Sequence, residues 1–271
     1  MTSHSPWHQR EQGSATATAQ RILPLIDLTN LDPQAGEVDI RALCTRAVTP
    51  FGPVAAVCVY PRFVPLAKAL LLDRGGTHVQ VATVCNFPGG AADPDGAARE
   101  TEAAVAAGAD EIDVVLPYEA FLAGDRATAA ALIAACRRAC HGKTHDERPA
   151  ALLKVILETG RLGDATTVRA AADLAIAAGA DFVKTSTGFA QPGATLPAAT
   201  AILDAIAARR TQRMWAGIKV SGGIRSVTEA IPYIAAAETK LGAGFVGPAT
   251  FRIGASKLLD DVLAELGLPP S

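Results

Sequence analysis

Three lysines, Lys154, Lys184 and Lys219, stand inside short apolar runs that read as buried strands: Leu152 to Ile156, Phe182 to Thr185 and Gly217 to Val220. Burying an ammonium group is costly unless it is paired or loses its proton, and an amine without its proton is a nucleophile for carbonyl carbon. One such lysine is compatible with a strand end that snorkels to water. Three in successive strands point to amine chemistry. Two-residue alternation puts Lys184 on a strand face with Phe182 and Ser186, and Lys219 on one with Gly217 and Ser221. If those faces point inward, the two cations meet and their repulsion leaves one as a free amine near neutral pH, able to form a Schiff base. Spacing does not say which. Asp113, in the apolar run Glu111 to Pro117, is available as a counter-ion or as a proton relay with Lys154.

The elements that must position these groups recur with a rhythm. Eight β-rich apolar runs begin near Ile26, Val54, Gln80, Glu111, Ala151, Phe182, Gly217 and Phe245, and Ala-rich stretches of helix length lie between them. One strand plus one helix about every 30 residues is the pattern of a parallel sheet. Ala107-Gly108-Ala109-Asp110 and Ala178-Gly179-Ala180-Asp181 write the same helix-to-strand turn twice. Eight such units favour a single-domain α/β fold, a closed (β/α)8 TIM barrel over residues 21–271, and no G-x-G-x-x-G follows the first strand. Residues 1–20 are polar, lack the apolar core of a secretory leader and are expected to be a disordered tail.

The chain has 271 residues, 49% of them hydrophobic, and a formal charge of −2 from 25 basic and 27 acidic side chains mixed along its length. That balance offers no basic face to nucleic acid and no polybasic membrane patch, and no apolar stretch reaches the roughly 18 to 20 residues of a bilayer span. Five cysteines without a C-x-x-C pair suit a reducing cytoplasm better than a disulfide framework or a zinc knuckle.

A barrel of this kind works at the C-terminal ends of its strands. The polar residues there are Asp27, Thr29, Cys58, Tyr60, Thr83, Asn86, Asp113, Lys154, Glu158, Lys184, Ser186, Thr187, Lys219 and Ser221. No histidine falls at a strand end, which argues against a catalytic metal and against a Ser-His-Asp triad; His141 and His145 beside Cys140 read as a solvated loop. Ser221-Gly222-Gly223-Ile224-Arg225 after the seventh strand, with Gly254-Ala255-Ser256-Lys257 opening a helix after the eighth, would suit a phosphate.

The chain resembles the deoxyribose-phosphate aldolase family. The matching phrases include Leu25 to Thr29, Val57 to Phe63, Val81 to Pro88, Gly108 to Val115, Leu153 to Gly160, Asp181 to Gly188 and Lys219 to Arg225. The resemblance implies a metal-independent class I aldolase, without cofactor, that cleaves 2-deoxy-D-ribose 5-phosphate reversibly to D-glyceraldehyde 3-phosphate and acetaldehyde. It implies Lys184 as the Schiff-base nucleophile, Lys219 as the neighbour that depresses its pKa, and Asp113 with Lys154 for proton transfer. Asp27, Thr29, Cys58 and Thr187 would line the small pocket, with Gly188, Gly222, Gly223, Arg225, Gly254 and Ser256 around the phosphate. A homodimer is the common assembly in the family.

Two departures from the family pattern stand out. Phe189 follows Gly188 where some members carry a lysine near the phosphate, and Lys257, where serine is common, is expected to supply that charge. The sequence ends Leu268-Pro269-Pro270-Ser271 rather than in the tyrosine some members use, so no terminal proton-transfer role is carried over. Two other readings stay open: a Schiff-base barrel lyase for a different phosphorylated sugar or keto acid, and a catalytically silent barrel that serves regulation or binding.

Overall fold

Glycines, prolines and helix-capping side chains bound each apolar run, and the structure, a computed structural model describing residues 15–141, 151–212 and 214–268, shows what those boundaries delimit. The barrel strands are β1 (Ile26–Asn30), β2 (Ala56–Val59), β3 (Gln80–Cys85), β4 (Glu111–Val115), β5 (Leu152–Ile156), β6 (Phe182–Lys184), β7 (Gly217–Ser221) and β8 (Phe251–Ala255), beside a short antiparallel pair, Val48–Thr49 with Gly52–Pro53. Each pairs in parallel with its neighbours in sequence, and β8 closes on β1, so the sheet is a complete barrel. The helices are α1 (15–22), α2 (Glu37–Arg46), α3 (Val64–Asp73), α4 (Pro94–Ala106), α5 (Tyr118–Leu122), α6 (Arg126–Cys140), α7 (Thr159–Leu162), α8 (Ala165–Ala177), α9 (Leu196–Arg210), α10 (Val227–Leu241) and α11 (Leu258–Glu265). Among the described residues, no helix is long and apolar enough to cross a membrane.

The loops that lead into the outer helices are fixed by local chemistry. Asp93, Asp125, Asp164, Thr195 and Ser226 cap α4, α6, α8, α9 and α10, each accepting the N–H of the third helical residue. The repeated Ala-Gly-Ala-Asp phrase has a structural meaning in both copies. Gly108 (φ 97°) and Gly179 (φ 104°) end α4 and α8 in the left-handed region, and the aspartate that follows accepts a backbone N–H from the preceding strand. Asp110 takes Val81 N at 2.7 Å and Asp181 takes Leu153 N at 2.7 Å, which fixes where β4 and β6 begin.

Outward side chains such as Ile112, Val114, Leu153, Val155, Val183, Ile218 and Val220 are buried against the helical shell, whose facing residues are largely alanine, leucine and isoleucine. Strands buried on both faces read as nearly continuous apolar runs, which is why the rhythm was visible in the sequence. The inward face is divided. Ala56, Cys58, Ala82 and Val84 form a small apolar group on the β2 and β3 side, and the charged side chains described below fill the remainder.

Two expectations are corrected. The eighth strand begins at Phe251, not at Phe245, which is buried in a single 3-10 turn, Ala243–Phe245. Residues 15–20, expected to belong to a disordered tail, are helical: Ala19 is fully buried and Thr16 Oγ1 donates to the Glu265 carbonyl at 3.2 Å. The first 14 residues lie outside the described residues, as do His4, His8 and His145.

Candidate active site

Lys154 in the middle of β5, Lys184 at the end of β6 and Lys219 in the middle of β7 all point into the barrel, none more than 3% exposed. They converge on one carboxylate. Asp113 Oδ1 accepts from Lys154 at 2.9 Å, while Oδ2 accepts from Lys184 at 2.8 Å and from Lys219 at 2.7 Å. Beyond Lys184 and Lys219, Ser186 Oγ donates to the Ser221 carbonyl at 2.8 Å and Ser221 Oγ donates to that of Ser186 at 2.6 Å. This reciprocal clasp ties the ends of the two lysine strands together.

A second tier was not singled out from the sequence. Glu111, two residues before Asp113 and on the same inward face, lies 2.5 Å from Lys154, and Arg252 on β8 reaches Glu111 at 2.8 Å and Asp27 at 2.7 Å. Asp27 also holds Lys219 at 2.6 Å and Lys154 at 3.3 Å. Asp27, expected in the wall of a small pocket, is fully buried and takes part in the ion network. The i, i+2 pair Glu111/Asp113 was a usable signal for Glu111. Arg252 carries no such signal, because the sequence pattern starts the eighth strand at Phe245 and the structure starts it at Phe251.

Four bases therefore share three carboxylates, and the sharing is unequal. Among the described residues, Lys154 has three carboxylate partners, Lys219 and Arg252 two each, and Lys184 only Asp113. Burial works against protonation of every amine. For Lys154 and Lys219 the surrounding carboxylates outweigh it and raise both pKa values above the ordinary lysine value. For Lys184 burial wins: its pKa is lowered, first by desolvation, against the pull of Asp113, with the charge of Lys219 adding to the fall. The charge of Lys219 thus pushes the same way as burial, and more weakly. Burial alone would raise the pKa of Asp113, yet Lys154, Lys184 and Lys219 together hold its carboxyl well below the usual range.

On the rim, Thr29, Thr187, Gly188, Phe189 and Ser256 line a cavity of about 560 Å³ together with Asp39 and Arg46 of α2; Lys184, 3% exposed, is not part of its lining. Thr29 Oγ1 donates to the Asp27 carbonyl at 2.8 Å, and Thr187 is held by Glu158 through its hydroxyl and its N–H. Cys58 is fully buried beside the lysines, and desolvation raises its thiol pKa in spite of their charge. Gly222 and Gly223 follow β7 at φ 93° and 99°, and Gly222 receives the Ala194 N–H at 2.9 Å. A side chain at Gly193 would come within 2.3 Å of the Gly222 carbonyl, so the loops after β6 and β7 approach as only glycines allow.

Gly254 does not open a helix as expected. It pairs with Ser221 and Asp27 inside the barrel sheet, where a Cβ would meet Lys219 Cε at 3.0 Å. Arg225 and Lys257 are exposed, and Lys257 immediately precedes α11. Of the remaining strand-end candidates, Thr83 donates to the Val59 carbonyl and Asn86 ties the end of β3 to the Val115 carbonyl, which are scaffold roles. Among the described residues no three His, Cys, Asp or Glu side chains are grouped to hold a metal ion.

A closed parallel barrel with a buried lysine of lowered pKa at the end of its strand, paired with a single shared carboxylate, defines an architecture suited to carbonyl chemistry. The chain belongs to the DeoC/LacD family of aldolases, whose model matches residues 21–262. It is similar to a protein from Coccidioides immitis provisionally named deoxyribose-phosphate aldolase, at 30% identity and a TM-score of 0.74 over 94% of this chain and 96% of that one. The deoxyribose phosphate aldolase of Aeropyrum pernix, a tetramer, matches at 27% identity and a TM-score of 0.68 over 96% and 97%. A Toxoplasma gondii protein, also provisionally named deoxyribose-phosphate aldolase, shares the fold at a TM-score of 0.84, with 23% identity over 94% and 96%.

Proposed function

We propose that the protein is a class I aldolase that cleaves 2-deoxy-D-ribose 5-phosphate to D-glyceraldehyde 3-phosphate and acetaldehyde, and condenses them in reverse, through a Schiff base on Lys184. The observation that carries this reading is the convergence of Lys184 and Lys219 on Asp113 Oδ2, with Lys184 the less-paired amine. Similarity to relatives named for this substrate supports its choice.

The neutral amine of Lys184 attacks the C1 aldehyde to give a carbinolamine, and loss of water gives an iminium. Removal of the 3-hydroxyl proton then sends the C2–C3 bonding pair into the iminium, releasing the three-carbon aldehyde and leaving an enamine. Protonation of the enamine at C2 and hydrolysis release acetaldehyde and restore the lysine. Asp113 is the group placed to pass protons at that nitrogen, since its Oδ2 already contacts both amines. Lys154, held charged by three carboxylates, anchors Asp113 through Oδ1 and supports this relay from behind. Cys58 and the Thr29 rim would flank the two-carbon fragment. The Gly188, Gly222 and Gly223 turns with Ser256 would present N–H and hydroxyl donors to the phosphate, with Arg225 and Lys257 as nearby cations.

The reading extends to one barrel domain acting in the cytoplasm as a homodimer in deoxyribonucleotide catabolism; sedimentation analysis separates a dimer from the tetramer of the A. pernix relative. Treatment with acetaldehyde and borohydride should leave one ethyl group on Lys184, and the Lys184→Ala variant should take none. Paired with assay of glyceraldehyde 3-phosphate release from deoxyribose 5-phosphate, this decides the proposal. An untrapped chain would favour a silent barrel, and trapping without cleavage would favour another substrate.

A further inference from the structure

Arg252 has no part in the chemistry just described, yet it is 4% exposed and built into the barrel with care. Its Nη1 lies 2.7 Å from Asp27 Oδ1 and its Nη2 lies 2.8 Å from Glu111 Oε1. Its Nε donates to the Pro248 carbonyl, and its guanidinium lies 5.7 Å from the centre of the Phe182 ring, on the strand that ends in Lys184. A guanidinium does not surrender its proton inside a protein. Whatever charge the cluster must shed has to leave from a lysine.

We infer that Arg252 is a positioning residue that fixes the proton count of the cluster: by occupying Asp27 and Glu111 it leaves too few carboxylates for three charged lysines, and the lysine with fewest partners, Lys184, gives up its proton. The inference rests on the Schiff-base reading above and adds a residue to it. The groups facing Lys184 are Asp113 from β4, Lys219 from β7 and Cys58 from β2, with Lys154 of β5 on the far side of Asp113. Asp27 from β1 and Glu111 from β4 link these to Arg252, while Glu158, also buried, is bonded by Thr187 and, among the described residues, makes no ion pair with the cluster. With all seven linked groups ionised the linked cluster carries one surplus positive charge, which a low-dielectric site penalises. Releasing one proton makes the cluster neutral.

The test is the pH profile of borohydride trapping with acetaldehyde, read beside the melting curve, for the wild-type chain, Arg252→Met, Glu111→Gln and the double variant. Arg252→Met leaves three lysines facing three carboxylates; trapping at neutral pH should fall by about tenfold or more and return in alkaline solution. Glu111→Gln leaves four bases on two carboxylates and should move the profile the opposite way, toward acid. The double variant, again with one base in excess, should return toward the wild-type profile. A side chain that merely braces the fold would alter the melting curve and leave these midpoints unmoved. Coincident profiles, or shifts of one sign in both single variants, overturn the inference. If Arg252→Met does not fold, Glu111→Gln decides: an unmoved or alkaline-shifted profile overturns it. A wild-type chain that is never trapped overturns the Schiff-base reading and this inference with it, whereas trapping with unmoved midpoints overturns this inference alone.

Discussion

Replacing Asp113 with asparagine keeps the side chain's shape and removes the charge on which three amines meet. The amide has one oxygen, so it can serve only one side of the original carboxylate. Turned toward Lys184 and Lys219 it keeps two contacts and sets its NH2 against Lys154, which retains Glu111 at 2.5 Å and Asp27 at 3.3 Å. Breaking a buried ion pair by changing one partner costs about 3–5 kcal/mol. For a chain of this size that lowers Tm by roughly 6–20 °C. The effect on Lys184 has the opposite character. Asp113 is the main influence favouring the protonated form, so its loss frees the amine at lower pH. Two assays should then part company. Borohydride trapping, read after the slowed iminium formation has reached equilibrium, reports the availability of the neutral amine and should survive and extend into more acidic solution, while cleavage turnover, deprived of its proton carrier, should fall about 10²–10⁴-fold. Trapping and turnover that decline together, at a temperature where the variant is folded, would refute the division of labour assigned to Asp113.

Lys219→Met should move the cleavage profile toward alkaline pH for two additive reasons: a cation that opposes protonation of Lys184 is gone, and Asp113 Oδ2 is left to Lys184 alone. A kcat/KM profile with an unmoved acidic limb would leave Lys219 a purely geometric part. Gly217→Ala would place a Cβ 2.5 Å from Phe182 Cε1 and 2.6 Å from the Thr250 carbonyl, so equilibrium unfolding should register an overpacking loss of about 1–3 kcal/mol. Wild-type stability there would mean the strands spread at no cost. Lys257→Ala should raise KM for the phosphorylated substrate with kcat held; an unchanged KM removes Lys257 from the phosphate site.

The barrel was legible because parallel strands covered on both faces leave long apolar runs, and because the Ala-Gly-Ala-Asp turn is written twice. The three lysines and Asp113 were legible for a related reason, as charges inside such runs. The eighth strand was displaced because Phe245 is buried like a strand residue while making only one tight turn. That displacement hid Arg252 and set Gly254 at a helix start. The partition of charge within the cluster lies beyond sequence reading, since it depends on which carboxylate oxygen meets which nitrogen across six strands. The helix at 15–22 was missed because its burial, at Ala19 and Ile22, is too sparse to make a periodic signal.

The ion cluster lies in a part of the molecule that dissolved salt does not reach, its side chains at most 5% exposed. Mobile ions weaken attractions and repulsions between charges at the surface, and groups walled off by packed protein keep theirs. At a given pH the readiness of Lys184 is therefore set by the sequence and not by the ionic strength around it. Sensitivity to ionic strength belongs to the rim, where Arg225 and Lys257 stand in water.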